Sequence, residues 1–192
     1  MIEALIGLLG VLVGSAITTA KEVWTSRLQH RRDGSFSAIR LICILEEYAD
    51  ACVSVVFDDG TAYGRPAGRT ESGEEYCEPQ VEAPAPLEFP EDISWRSLPE
   101  PLMHRALALP NKARSTSRAI SAASEHAFPP DYEEVFSARQ EGYALLGLDA
   151  LEVAEDLRNH YRIAVKSHVQ FNTEWNAMVF LREKVAAFKE AA

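Results

Sequence analysis

The side chains that could do chemistry are present in this chain but do not gather. Histidines stand at 30, 104, 126, 160 and 168, and none has an acid three residues before it. A carboxylate-bridged di-metal bundle needs inward-facing Glu-x-x-His pairs, so that chemistry is not expected. Cys43, Cys52 and Cys77 lie far from the histidines and show no C-x-x-C spacing, which removes the usual zinc arrangements. Gly142 to Gly147 keeps the first half of a phosphate-loop spacing, but Leu148-Asp149 follows it. That loop needs Lys and a Ser/Thr there to hold phosphate and magnesium. No Gly-x-Ser-x-Gly elbow occurs, and a helical protein offers no strand-to-helix turn for one. Cys43 and Cys52 sit in apolar runs that would keep their thiols protonated as packed side chains. An enzyme remains an alternative only if the fold assembles a site, for example around Arg139, Tyr143 and His160. The leading expectation is a non-enzymatic protein without cofactor or metal.

Charge and composition narrow the partners. The 192 residues carry a formal charge of -10, and a phosphate backbone would be repelled by most of such a surface, so nucleic acid is not an expected partner. With 47% apolar and 25% charged residues the chain has the make-up of one globular domain, neither disordered nor polytopic. An odd number of cysteines cannot pair completely, which fits a reducing compartment.

The elements that must carry any function begin with an uncharged run over 4–20, bounded by Glu3 and Lys21. As a helix it would measure about 26 Å, a thin but workable membrane span against a hydrocarbon layer of about 30 Å. Trp24 stands where an interfacial aromatic would sit, and Lys21, Arg27, Arg31 and Arg32 follow the run with no cation ahead of it. By the positive-inside rule this predicts a single-pass anchor over 1–22, with the rest of the chain cytoplasmic. A cleaved signal peptide is the rival reading; the missing basic residues before the run disfavour it. The four cations are candidates for lipid headgroup contact. Gly10 and Gly14 have the small-residue spacing that lets membrane helices meet, which makes a homo-oligomer a candidate state.

Beyond the anchor, periodicity predicts an all-α protein: a cytoplasmic bundle of about four helices over 23–57 and 92–190, its first helix continuous with the anchor. Gly34 is the expected weak point of that helix, and Pro110 is expected to interrupt the next. Residues 58–91 read as a mobile acidic loop rich in Pro and Gly; residues 58–101 carry a net charge of -8. Such a loop is an insertion or a docking strip for a basic partner. Phe136, Gln140, Tyr143, Gly147, Ala150, Ala154, Leu157 and Tyr161 alternate steps of four and three, which predicts a helix seam with small residues in the middle, preceded by an Asp131 cap. A last helix should bury Trp175, Met178, Leu181, Val185 and Phe188 on one face. Arg105, Lys112, Arg114 and Arg118 form a run of cations free of intervening acids, a candidate face for lipid, for the acidic loop or for a partner.

Trp24-x-x-Arg27-x-x-x-Arg31-Arg32, the segment Leu109-Pro110-Asn111-Lys112, and Phe136, Arg139-Gln140, Tyr143, Leu146-Gly147-Leu148 and Leu157-Arg158 resemble a group of uncharacterised bacterial single-pass, membrane-anchored helical proteins. The resemblance covers most of the chain outside the acidic loop. It implies the bacterial inner membrane and one-pass architecture, and it supplies no catalytic residue. The function expected from sequence is therefore a tether or scaffold that holds an unknown protein partner at the lipid bilayer. The alternative is an oligomeric membrane effector assembling through its anchor.

Overall fold

The computed structural model describes residues 2–125, 127, 128, 130, 132–164 and 175–191, and for 2–13, 16 and 191 the backbone alone. The described residues form an all-α fold with helices α1 (Ile2–Phe57), α2 (Glu100–Ser124), α3 (Glu133–Tyr161) and α4 (Ala177–Ala191). Two-residue strands β1 (Gly68–Arg69) and β2 (Glu75–Tyr76) pair antiparallel, and a 3-10 turn spans Trp95–Ser97.

Helix α3 is central, because it is the one that packs on α1, α2 and α4. The four-and-three spacing of its seam explains why: Tyr143, Gly147, Ala150, Ala154 and Leu157 fall on one face and are buried there. A methyl group on Gly147 would lie 2.9 Å from Cys52 Cβ and 3.0 Å from Leu181 Cδ1. The missing side chain thus sets how closely α1 and α4 approach α3. Leu41, Leu45, Leu109, Leu157 and Leu181 fill the space between helices with 0% or 1% exposure, each stabilising the fold by about 2 kcal/mol. On α4, Leu181 and Val185 are buried as the periodicity predicts, whereas Trp175, two residues before the helix, stays 43% exposed. Asn176 Oδ1 accepts the Met178 and Val179 N–H groups at 2.9 and 3.2 Å and so begins that helix.

Four expectations need correction. Helix α1 does not break at Gly34. A methyl group there would meet the Tyr161 hydroxyl at 2.5 Å and the Ser97 carbonyl oxygen at 2.7 Å, so this glycine serves close packing instead of a kink. Gly34 is also where burial begins: residues 17–33 are exposed, and 23–33, expected inside the bundle, stand outside it. Helix α2 runs through Pro110. The proline forfeits one backbone hydrogen bond, but Ala106 and Leu109 beside it are fully buried and hold the helix in place.

The fourth correction concerns 58–91, which is not a free loop but a strap tied to the bundle. The Asp58 carboxylate, 7% exposed, accepts the N–H groups of Gly60 at 2.9 Å, Gln80 at 2.9 Å and Val81 at 3.0 Å. From α3, the Gln140 amide donates to the Asp58 carbonyl oxygen at 2.9 Å and Arg139 donates to that of Val81 at 2.7 Å. Leu87 is buried, and Phe89 meets Trp95 edge to face at 5.3 Å. These anchors offset an ordering cost that composition alone suggests the strap cannot meet.

Among the described residues no helix is long and apolar enough to cross a membrane. Most of the 4–20 run lies outside the residues whose side chains are described, as does the Gly10 contact. The Asp131 cap also lies outside the described residues; α3 starts at Glu133 after Tyr132, with no side-chain cap.

Candidate functional site

The four cations after the apolar run project from the exposed part of α1, of which only its inner end, at His30 and Arg31, borders the bundle. Lys21, Arg27, Arg31 and Arg32 are exposed, and among the described residues none of them has an ion-pair partner. Trp24, 70% exposed, and Ile17, Val23 and Leu28 share this stretch. Arg27 and Arg31 line the same open groove along the helix as Val23, Trp24 and Leu28. A water-exposed helix of this length with so much apolar surface is marginal by itself. Gly14 lies at the outer end of the described side chains, with nothing within 4 Å of the place a side chain would take.

The second cationic group is differently placed. Arg105 pairs with Asp156 and lies 3.6 Å from Glu152, and Lys112 pairs with Asp149. The acid-free run on α2 is therefore complemented by acids on α3. Glu152 also lies 3.7 Å from Arg182 of α4, so one carboxylate links three helices. These two cations are structural and leave the candidate lipid or partner face. A sequence scan for acids near in the chain misses them because the partners lie 37 to 51 residues away.

Arg114 and Arg118 remain exposed at the mouth of a cleft of about 300 Å³. Its walls are Pro84, Pro86 and Pro110, and buried Tyr48, Leu87 and Tyr143 reach it from within. Arg114 donates to Asn111. The Tyr48 hydroxyl and the Cys52 thiol lie one turn apart on α1 and influence each other's ionisation. Burial, then the charges of Cys52 and Tyr143, push the Tyr48 phenol well above its ordinary range. Burial likewise pushes the Cys52 thiol from 9.0 to about 12, against a smaller lowering from the Tyr48 hydroxyl. Neither group is a nucleophile or a base near neutral pH. The cleft can hold a small anionic or aromatic group between guanidinium and proline, but it presents no paired acid, base and nucleophile.

Cys43, expected to be packed, is exposed on α1, while Cys52 is buried. Iodoacetamide at pH 8 should therefore alkylate Cys43 within minutes and leave Cys52 unmodified until the protein is unfolded, as read by peptide mass spectrometry. Early modification of Cys52 would mean that the α1–α3 seam opens readily. Because its folded pKa exceeds the unfolded value, the neutral thiol leaves stability unaffected below pH 9. From there upward the unfolded chain loses the proton first, so stability falls as pH rises toward 12.

The alternative grouping of Arg139, Tyr143 and His160 is not assembled. All three lie on α3, with His160 about 25 Å along the axis from Tyr143 and about 31 Å from Arg139. Arg139 is engaged by the strap, and Tyr143 is buried against Tyr48. His160 stands beside His30, Arg31 and Tyr161, where α1 leaves the bundle. Among the described residues no group of three or more His, Cys, Asp or Glu side chains could hold a metal ion. Comparison finds no family model, curated protein or solved structure that matches the chain.

Proposed function

We propose that this protein is a non-enzymatic helical module of the bacterial inner membrane, tethered by the start of α1 and holding a protein partner on the cytoplasmic side. The observation that carries the reading is the division of α1. One continuous helix packs from Gly34 onward, yet its residues 17–33 are exposed with Ile17, Trp24 and Leu28 uncovered and four cations among them that have no ion-pair partner among the described residues. A bilayer beginning near Lys21 would cover the apolar residues and neutralise the cations. The uncharged run over 4–20 supplies the span on this reading, and Trp24 its interfacial anchor.

The opposite end of the bundle offers a surface of another kind. Phe57 at the end of α1 stacks on Phe180 at 4.2 Å and lies 6.4 Å from Trp175. Phe57, Trp175 and Val179 are each between 43% and 55% exposed. Large exposed aromatic side chains grouped this way mark interaction surfaces, and this group lies about 35 Å along α1 from Gly34. A partner bound there would be held clear of the lipid.

The test is alkaline extraction of membranes containing the full chain, combined with a C-terminal reporter active on only one side. Intact, extraction-resistant protein with a cytoplasmic signal is the expected result. Release by carbonate, or an exported product shortened by about 20 residues as signal cleavage would give, overturns the tether.

A further inference from the structure

We infer that the exposed start of α1 is a one-sided collar that binds the phosphate headgroups of anionic lipids and inclines the helix toward them. At 3.6 residues per turn, Lys21, Arg27, Arg31 and Arg32 fall within about 140° of the helix circumference, together with Trp24 and Leu28. The two acids of the same stretch, Glu22 and Asp33, lie about 150–170° from the centre of that face. Sorting of this kind is not needed for an upright stem, whose surroundings at the lipid boundary are alike on all sides. It suits a helix that presents one flank to a negative surface.

Length along the axis leads to the same geometry. From Lys21 to Arg32 the helix rises about 17 Å, whereas each headgroup layer is only about 5–8 Å thick. Helical side chains lean toward the N-terminus, which here is toward the bilayer, and Lys and Arg can extend further by snorkelling. Even so, an upright helix leaves Arg31 and Arg32 beyond the phosphates. Inclination toward the cationic flank brings all four within reach.

Charge decides the occupant. Two copies of this chain meeting on the collar would bring both sets of four cations together, an arrangement opposed at every position. A sheet of anionic phosphates complements them, and each Lys or Arg near such a surface adds attraction. The acidic strap, with most of the chain's net negative charge, belongs to the bundle section and would be repelled from the same lipid.

The inference rests on the tether reading, and one experiment separates the two. The full chain is reconstituted into phosphatidylcholine bilayers containing a minor fraction of phosphatidylglycerol, with bromine carried by one lipid class at a time. Quenching of Trp24 is taken as the difference between the parent protein and Trp24→Phe. Brominated phosphatidylglycerol should quench about twofold or more per molecule over brominated phosphatidylcholine. Replacing Lys21, Arg27, Arg31 and Arg32 by Gln should remove the preference and leave the helical circular dichroism unchanged, since all four are exposed and none has an ion-pair partner among the described residues. Equal quenching by both lipids would overturn the collar while the tether stands. Absence of Trp24 quenching by either lipid would overturn the tether itself.

Discussion

Gly147→Leu should cost the bundle more than about 3 kcal/mol, at or beyond the upper end for overpacking a filled core. A single methyl group at this position already lies 2.9 Å from Cys52 Cβ and 3.0 Å from Leu181 Cδ1. Leucine adds three further carbons, and α3 cannot retreat from both neighbours at once because it packs α1 on one side and α4 on another. Against a total stability of roughly 5–15 kcal/mol such a loss removes much of the margin. Urea unfolding of the full chain in detergent, followed by circular dichroism, would read it as a lower midpoint. Gly147→Ala should fall between, since alanine favours the helix by about 1 kcal/mol but still requires Cys52 or Leu181 to shift. Glu141→Leu, at an exposed position of the same helix, should change stability by no more than about 0.5 kcal/mol. A Gly147→Leu midpoint within that range would mean that the three helices do not meet as described.

The seam that makes this substitution costly is the part of the fold most legible in the sequence. Its spacing predicts which face of α3 is buried, and the small residues mark the close approach, because both follow from helical period and side-chain volume alone. The grouping of Lys21, Arg27, Arg31 and Arg32 after the apolar run is legible for the same reason, since it depends on neighbours in the chain, and the structure leaves all four exposed. What the sequence could not show was set by contacts between distant residues. Arg105 and Lys112 read as an unpaired cationic face until α3 supplies Asp156, Glu152 and Asp149. Gly34 reads as a kink until Tyr161 and Ser97 occupy the space its side chain would need. Pro110 reads as a stop until the burial of Ala106 and Leu109 holds its helix together. Composition misdescribed the strap most, since Pro, Gly and Glu predict high ordering cost but say nothing about one buried carboxylate that organises the segment.

That carboxylate carries the second large effect. Asp58→Ala should destabilise the protein by about 3 kcal/mol, because it leaves the Gly60, Gln80 and Val81 N–H groups without their acceptor and each unmet buried donor costs about 1–3 kcal/mol, less where water reaches it. Asp58→Asn should rescue little. Its carbonyl oxygen can replace one carboxylate oxygen, but the amide nitrogen then faces N–H donors where the other oxygen stood. The consequence extends 23 residues down the chain, to Val81, whose carbonyl oxygen also receives Arg139. Without Asp58, cleavage by a Glu-specific protease at Glu78 and Glu82 should accelerate well before the helices unfold. The sign of that change separates the two descriptions of 58–91. A strap already free in the parent protein would be cut at the same rate in both forms, and a strap held by Asp58 only after its release. Unchanged cleavage would transfer the anchoring to Leu87 and Phe89, which pack without any need for the carboxylate. Faster cleavage with the helical signal intact would make Asp58 the residue that converts an acidic, proline-rich stretch into part of the folded bundle.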